Sequence, residues 1–286
     1  MPVRQWPVVA FFLFAFGWTW LFWGTAAAAR GLLSGAEVAV LIAVGGLGPA
    51  LAAGVRLARE GPAARRDFLR RLVDPHRVPG PFWAAALGIP PATALAALLV
   101  DQGLPGARGA APAAWLGEPA SLTIMTGYLL VFGPLPEEPG WRGYALERLQ
   151  ERLPALGAAL LLGALWALWH LPLFLIPGTY QEAVIGLGTI RFWGDFVPVL
   201  LALSVLMAWV YNHTGGSVLA AIVFHFAANF TGEALGLGPR QALLQASFLL
   251  LVTGVVVLVA GPSGLGGGHT RSELRPGRPF RTQPGP

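Results

Sequence analysis

The chain contains no cysteine among its 286 residues. That excludes disulfides, a thiolate nucleophile, a cysteine-ligated metal or iron–sulfur cluster, and palmitoylation. Lysine is absent as well, since every one of the 19 basic residues is arginine; beside abundant Ala, Gly and Pro this reads as coding bias. Charge of either sign is scarce. Asp, Glu, Lys and Arg make up 12% of the chain, where a soluble domain carries about 25%. Apolar residues fill 55% of it and the mean hydropathy is +0.61, which excludes an ordinary water-soluble enzyme and points to a bilayer. Any chemistry must come from carboxylates, imidazoles, hydroxyls or amides. The formal net charge of +5 would need a clustered basic and aromatic face to bind nucleic acid. Arginine in cytoplasmic loops of a membrane protein accounts for it instead, and no nucleic-acid partner is expected.

What the chain does have is long apolar runs. A transmembrane helix needs about 20 largely apolar residues, and eight candidates are present: 6–29, 36–58, 81–100, 122–136, 153–176, 196–211, 216–235 and 241–260. The expected fold is all-α, a polytopic bundle of about eight transmembrane helices. The first run exceeds the apolar region of a signal peptide and is read as a retained span. With the N-terminus in the cytoplasm, 15 of the 19 arginines lie on the cytoplasmic half. Only Arg30, Arg108, Arg191 and Arg240 lie outside, which is the bias that sets topology. An even number of spans returns the C-terminus to the cytoplasm, so a multi-pass protein of the cell membrane with both termini inside is expected. The arginine-rich loop 56–77 includes Glu60, Asp67 and Asp74 and reads as a retention signal rather than a lipid-recognising patch. Residues 1–260 read as one membrane domain, and 261–286, rich in Gly, Pro and Arg, as a disordered cytoplasmic tail.

Ionisable residues within apolar spans are costly and mark function by default. Three places hold them. PLPEEPGWRGYALERLQ carries Glu137, Glu138 and Arg142; LGALWALWHLPLF carries His170; GSVLAAIVFHFAANFTGEAL carries His225, Asn229 and Glu233. His76, His213 and His269 lie in loops or the tail and read as solvated imidazoles.

Glu138 and Arg142 are four apart and pair along one helix face. Glu137 lies about 100° away around the helix and is left available. Pro134, Pro136 and Pro139 with Gly133 and Gly140 indicate a kink or a helix restart. Glu137 and His170 are 33 residues apart about a midpoint at Leu153 and Pro154. Two antiparallel arms of about 25 Å therefore bring them to one level. His225 and Asn229 share a face, roughly 15 Å into their span. Glu233 lies one turn further, at the solvated outer end.

A carboxylate, two imidazoles and an amide converging inside a bundle suit hydrolysis of a carbonyl compound. Glu137 can take a proton from water that His170 helps to hold, while His225 and Asn229 donate to the oxyanion. The expected cofactor is none. The runner-up is zinc held by Glu137, His170 and His225, although the HExxH helix of many zinc proteases is absent. Serine and aspartyl protease arrangements lack parts: Ser217 sits in a turn and Asp195 is the only buried-Asp candidate. A non-catalytic transporter or a bacteriocin-immunity or scaffold protein is the alternative from another class.

The three segments resemble the CAAX prenyl protease and bacteriocin-processing family, which includes Rce1-type endoproteases and bacterial Abi-type proteins. Its EExxxR motif is matched by Glu137, Glu138 and Arg142. Its FxxxH motif is matched by Trp166 and His170, with Trp where Phe is usual, an exchange expected to matter little because both rings pack on a neighbouring helix. Its HxxxN motif is matched by His225 and Asn229. The resemblance covers residues 122–232. It implies an intramembrane endopeptidase acting on membrane-anchored or hydrophobic peptides. Glu137, His170, His225 and Asn229 would form its active site, Glu138 and Arg142 would support it, and no catalytic metal would be needed.

Overall fold

The computed structural model describes residues 8–107, 109–186, 188 and 192–265. Among them the regular structure is entirely helical. Seven helical stretches are long and apolar enough to cross a membrane: Val8–Ala28, Gly35–Leu57, Gly80–Gln102, Ala155–Leu175, Gly194–His213, Val218–Leu235 and Pro239–Gly261. The protein is a multi-pass membrane protein. In hydrocarbon each span must satisfy its own backbone polar groups, which a helix does.

The elements are α1 (Val8–Ala28), α2 (Gly35–Gly46), α3 (Gly48–Leu57), α4 (Pro62–Val73) and α5 (Gly80–Gln102). They are followed by α6 (Pro119–Val131), α7 (Pro134–Gly140), a π-helical segment (Trp141–Leu146) and α8 (Glu147–Gln150). Then come α9 (Ala155–Trp169), α10 (Tyr180–Gly186), α11 (Val197–His213), α12 (Val218–Leu235) and α13 (Pro239–Gly264). α11 is the central helix and buries 11 residues from Leu200 to Asn212. It meets α9 where Gly163 has no side chain, since a Cβ there would lie 2.9 Å from the Ser204 Cβ. Ser204 also donates to the Ala159 carbonyl at 2.8 Å. Close backbone approach at small residues is how helices associate in lipid, where apolar burial gives little drive.

The expected span 122–136 does not form one continuous helix. α6 ends at Val131, and α7 restarts at Pro134 with Gly133 between them at φ −120°, ψ −99°. Proline disfavours helical backbone in the residue before it, yet is well placed in a first turn, where its missing N–H is not needed. Pro134 and Pro136 thus end one helix and begin the next.

This broken element still connects the two ends of the bundle. At one end Arg240 pairs with Asp101 and donates to the Pro105 carbonyl, and Ala113 N–H donates to the Ala234 carbonyl. At the other end Arg71 pairs with Glu147, Arg148 with Glu60, and Arg77 donates to the Gly215 carbonyl. Residues 119–150 run from the first layer to the second. The interrupted helix thus lies between the two polar layers beside the seven candidate spans.

The loop 56–77 is more ordered than a bare charged loop. It forms α4, and Arg56 and Arg71 are buried at 6% and 7% exposure. Burial alone would depress the Arg71 guanidinium, and Glu147, with Tyr211 and Asp67, holds it above its ordinary value. His213 is not a solvated loop residue either. It ends α11 half-buried, stacks on Phe82 at 5.4 Å, and bonds the Trp209 carbonyl through Nδ1. At the start of the expected tail, Leu265 is buried and its carbonyl accepts from Asn212. Residues 266–286, with His269 and the four tail arginines, lie outside the described residues, as do Arg4, Trp6, Arg108 and Arg191.

Candidate active site

The restart at Pro134 places Glu137 and Glu138 in the first turns of α7, and the π-helical segment carries Trp141 and Arg142 back under them. Every residue from Trp141 to Leu146 is buried. A π-helical turn widens the backbone and is common at functional sites. Two close approaches require glycine here. A Cβ at Gly140 would lie 2.5 Å from the Pro49 carbonyl oxygen of α3, and one at Gly143 would lie 2.9 Å from the Phe68 ring of α4.

Glu138 is fully buried, at 0% exposure, as is Arg142. Arg142 Nη1 donates to Glu138 Oε1 at 2.9 Å, the i,i+4 pairing anticipated from spacing. The same oxygen receives His225 Nδ1 at 2.8 Å. Glu138 therefore joins the third motif-bearing element to the first, α12 to α7. The remaining Arg142 nitrogens Nε and Nη2 meet no acceptor among the described residues. The guanidinium lies over the Trp166 ring instead, with Cζ 4.7 Å from its centroid, a cation–π contact.

Glu137 is held differently. Its Oε2 accepts the indole N–H of Trp166 at 2.6 Å and that of Trp141 at 3.3 Å. Among the described residues no donor reaches Oε1. The carboxylate is thus fixed by one oxygen and open at the other.

His170 caps the C-terminus of α9, where Trp20 of α1 donates to the Trp169 carbonyl at 3.0 Å. Its Nδ1 lies 2.8 Å from the Trp166 carbonyl oxygen. A carbonyl only accepts, so Nδ1 carries the proton of the neutral ring and Nε2 keeps the lone pair. Phe196 and Trp169 set edge-on contacts to the imidazole at 5.7 and 4.8 Å. His225 meets the Trp166 ring edge to face at 5.1 Å.

Asn229 follows His225 by one turn and stands at the break between α6 and α7. A Cβ on Gly133 would lie 2.9 Å from Asn229 Nδ2. Glu233, one turn further, is exposed, and Ser217 is spent as the N-cap of α12, accepting from Ala220 N–H.

The structure thus gathers Glu137, Arg142, His170 and His225 around Trp166, with Glu138 bonded to Arg142 and His225, and Asn229 one turn from His225 at Gly133. Sequence reasoning assigned that residue a packing role that phenylalanine would share. The indole donates the shortest bond to Glu137, and phenylalanine has no N–H to do so. Trp141 was not singled out at all, although its position four residues after Glu137 was a readable signal for a contact along one helix face. Among the described residues no group of three His, Asp or Glu side chains is arranged to hold a metal ion.

Residues 119–231 match the family model of the type II CAAX prenyl endopeptidases, Rce1-like. The chain is also similar to a protein of Methanococcus maripaludis named CAAX prenyl protease 2, with 31% identity over 131 residues. That stretch covers 46% of this chain and 48% of the relative, so the match spans about half of each. The family-model match, residues 119–231, contains all three motifs, and over that segment the chain is similar to the Rce1-like CAAX prenyl endopeptidases.

Proposed function

We propose that the protein is an intramembrane endopeptidase that cleaves peptide bonds of membrane-associated or hydrophobic substrates by direct attack of water. The observation that carries this reading is that Trp166 holds both groups, its indole N–H pinning one oxygen of Glu137 together with Trp141, and its carbonyl fixing His170 through Nδ1 so that Nε2 keeps its lone pair. A water between Glu137 Oε1 and His170 Nε2 is oriented by both. Its oxygen attacks the carbonyl carbon while its proton passes to Glu137. Asn229 Nδ2 and His225 Nε2 donate to the oxyanion. Because His225 Nδ1–H is directed at Glu138, donation from Nε2 requires the doubly protonated ring, and the Glu138 carboxylate offsets that charge. As the tetrahedral carbon collapses the C–N bond breaks, and the proton on Glu137 goes to the leaving amine.

Glu138 and Arg142 act as positioning residues for His225, and Trp166 and Trp141 as positioning residues for Glu137. The metal-free version rests on Glu137, whose Oε2 is taken up by two indole N–H donors; the His225 Nδ1 bond to a carboxylate suits a metal-ligating imidazole equally well and does not separate the two. The relative's name supports a prenylated or otherwise lipid-anchored peptide as the substrate class.

The test is a comparison of membrane peptides from cells carrying the wild-type chain and Glu137→Gln. At equal protein level, the variant is expected to lose cleavage products, with turnover down by about 10²- to 10⁴-fold. Unchanged products in the variant would remove Glu137 from the reaction. Substrate-coupled proton flux in proteoliposomes, with no cleavage by the wild-type chain, would replace the peptidase reading by transport. A chelator that abolishes turnover, together with stoichiometric bound metal, would overturn the metal-free version.

A further inference from the structure

α4 (Pro62–Val73) lies between two spans and outside both. One face of it is buried in the protein. Phe68, at 5% exposure, meets Gly143 of the π-helical segment, and Arg71, at 7%, bonds Glu147 and Tyr211.

The other face is apolar at its centre and cationic at its edges. At about 100° per residue, Leu69, Pro62 and Val73 fall within about 40° of one another. Arg65 lies on one side of them, and Arg66 and Arg70 on the other. Leu69 is 59% exposed and Val73 71%, and all three arginines are exposed. Among the described residues none of the three pairs with a carboxylate, whereas Asp67 and Asp74 turn to Arg71 and Arg77.

An apolar strip bordered by unpaired guanidiniums is the pattern of a helix lying in a membrane interface. Guanidinium forks match phosphate oxygens, and positive charge favours anionic over zwitterionic surfaces. We propose that α4 is an interfacial helix that binds anionic phospholipid headgroups of the surrounding membrane through Arg65, Arg66 and Arg70, with Leu69 and Val73 seated among the acyl chains. Its buried face is fixed to the segment carrying Arg142, so the bound lipid holds that segment at a set height. The chemistry excludes an acidic or strongly hydrophilic occupant of the strip, because Leu69 and Val73 would then meet water.

The experiment is amide hydrogen exchange of residues 62–73 in the full chain, reconstituted in phosphatidylcholine nanodiscs with and without phosphatidylglycerol. Phosphatidylglycerol is expected to slow exchange in α4 at least about fivefold, the effect of one guanidinium at an anionic surface. High salt should reverse it, and R65Q/R66Q/R70Q should remove the response. Leu69→Gln with Val73→Gln should speed exchange in both bilayers. Equal exchange of the wild type in the two bilayers, or a response that persists in the triple variant, would overturn the proposal. So would protection of α4 that depends on a co-purifying soluble protein. If the triple variant does not fold, the lipid and salt response of the wild type decides.

Discussion

The indole nitrogen of Trp166 stands 2.6 Å from Glu137 Oε2, while the carbonyl oxygen of the same residue stands 2.8 Å from His170 Nδ1. One residue therefore orients both groups proposed to act on water. It does so in the last turn of α9, where a phenylalanine would keep the carbonyl for His170 but have no N–H for Glu137.

Trp166→Phe keeps the ring and removes the N–H. A hydrogen bond to a charged group contributes about 1.5–3 kcal/mol, so kcat is expected to fall about 10- to 100-fold with KM little changed. Thermal stability in detergent should stay near that of the wild type. Steady-state kinetics on a verified substrate would decide the matter, and an unchanged kcat in Trp166→Phe, with loss only in Trp166→Ala, would reduce Trp166 to packing.

Glu138 and Arg142 form a salt bridge with neither residue exposed. Removing one partner leaves a buried charge without compensation, at a cost of about 3–5 kcal/mol. Arg142→Leu should therefore lower the midpoint of thermal unfolding sharply. Glu138→Gln with Arg142→Leu should recover part of the loss but not turnover, since His225 would lack its anionic partner. A double variant no more stable than Arg142→Leu alone would contradict this account.

Gly140 meets the α3 backbone at Pro49. Gly140→Ala is expected to push α3 and α7 apart and destabilise the fold by about 1–3 kcal/mol. Gly157→Ala serves as the control. Its added Cβ would sit in ordinary contact, 3.9 Å from Pro154 Cδ, and alanine favours helix by about 1 kcal/mol over glycine. Matched denaturation curves of the two variants should separate in opposite directions.

The orientation inferred from arginine placement puts the α4 side in the cytoplasm. Because the chain has no cysteine, single introduced thiols report position without background. Ala63→Cys should be blocked by an impermeant maleimide only after the membrane is opened. Ala110→Cys, near the opposite polar layer, should react in intact cells. Reversed labelling would invert the topology and would place α4 on the outer leaflet.

Composition and apolar run length alone determined the class of this protein. An apolar run of 20 residues with few charges has one stable state in lipid, and the run positions need no tertiary knowledge to be read. The same local logic reached the Glu138–Arg142 pair, because four residues make one helical turn, and the restart at Pro134, because proline acts on its immediate neighbours. The break between α6 and α7 was legible as a signal, but not as the interruption of the expected span 122–136.

Only the tertiary structure decided which atoms face one another. The Glu138–His225 bond joins residues 87 apart, and the Trp166 indole meets Glu137 across 29. No periodicity specifies such contacts, since they depend on how α7, α9 and α12 rotate and approach where glycine permits. For the same reason His213, placed in a loop by its neighbours, lies half-buried on Phe82. Sequence named the groups able to do chemistry. The packing of three helices around Trp166 determined which oxygen of Glu137 is held by the indoles and which is not.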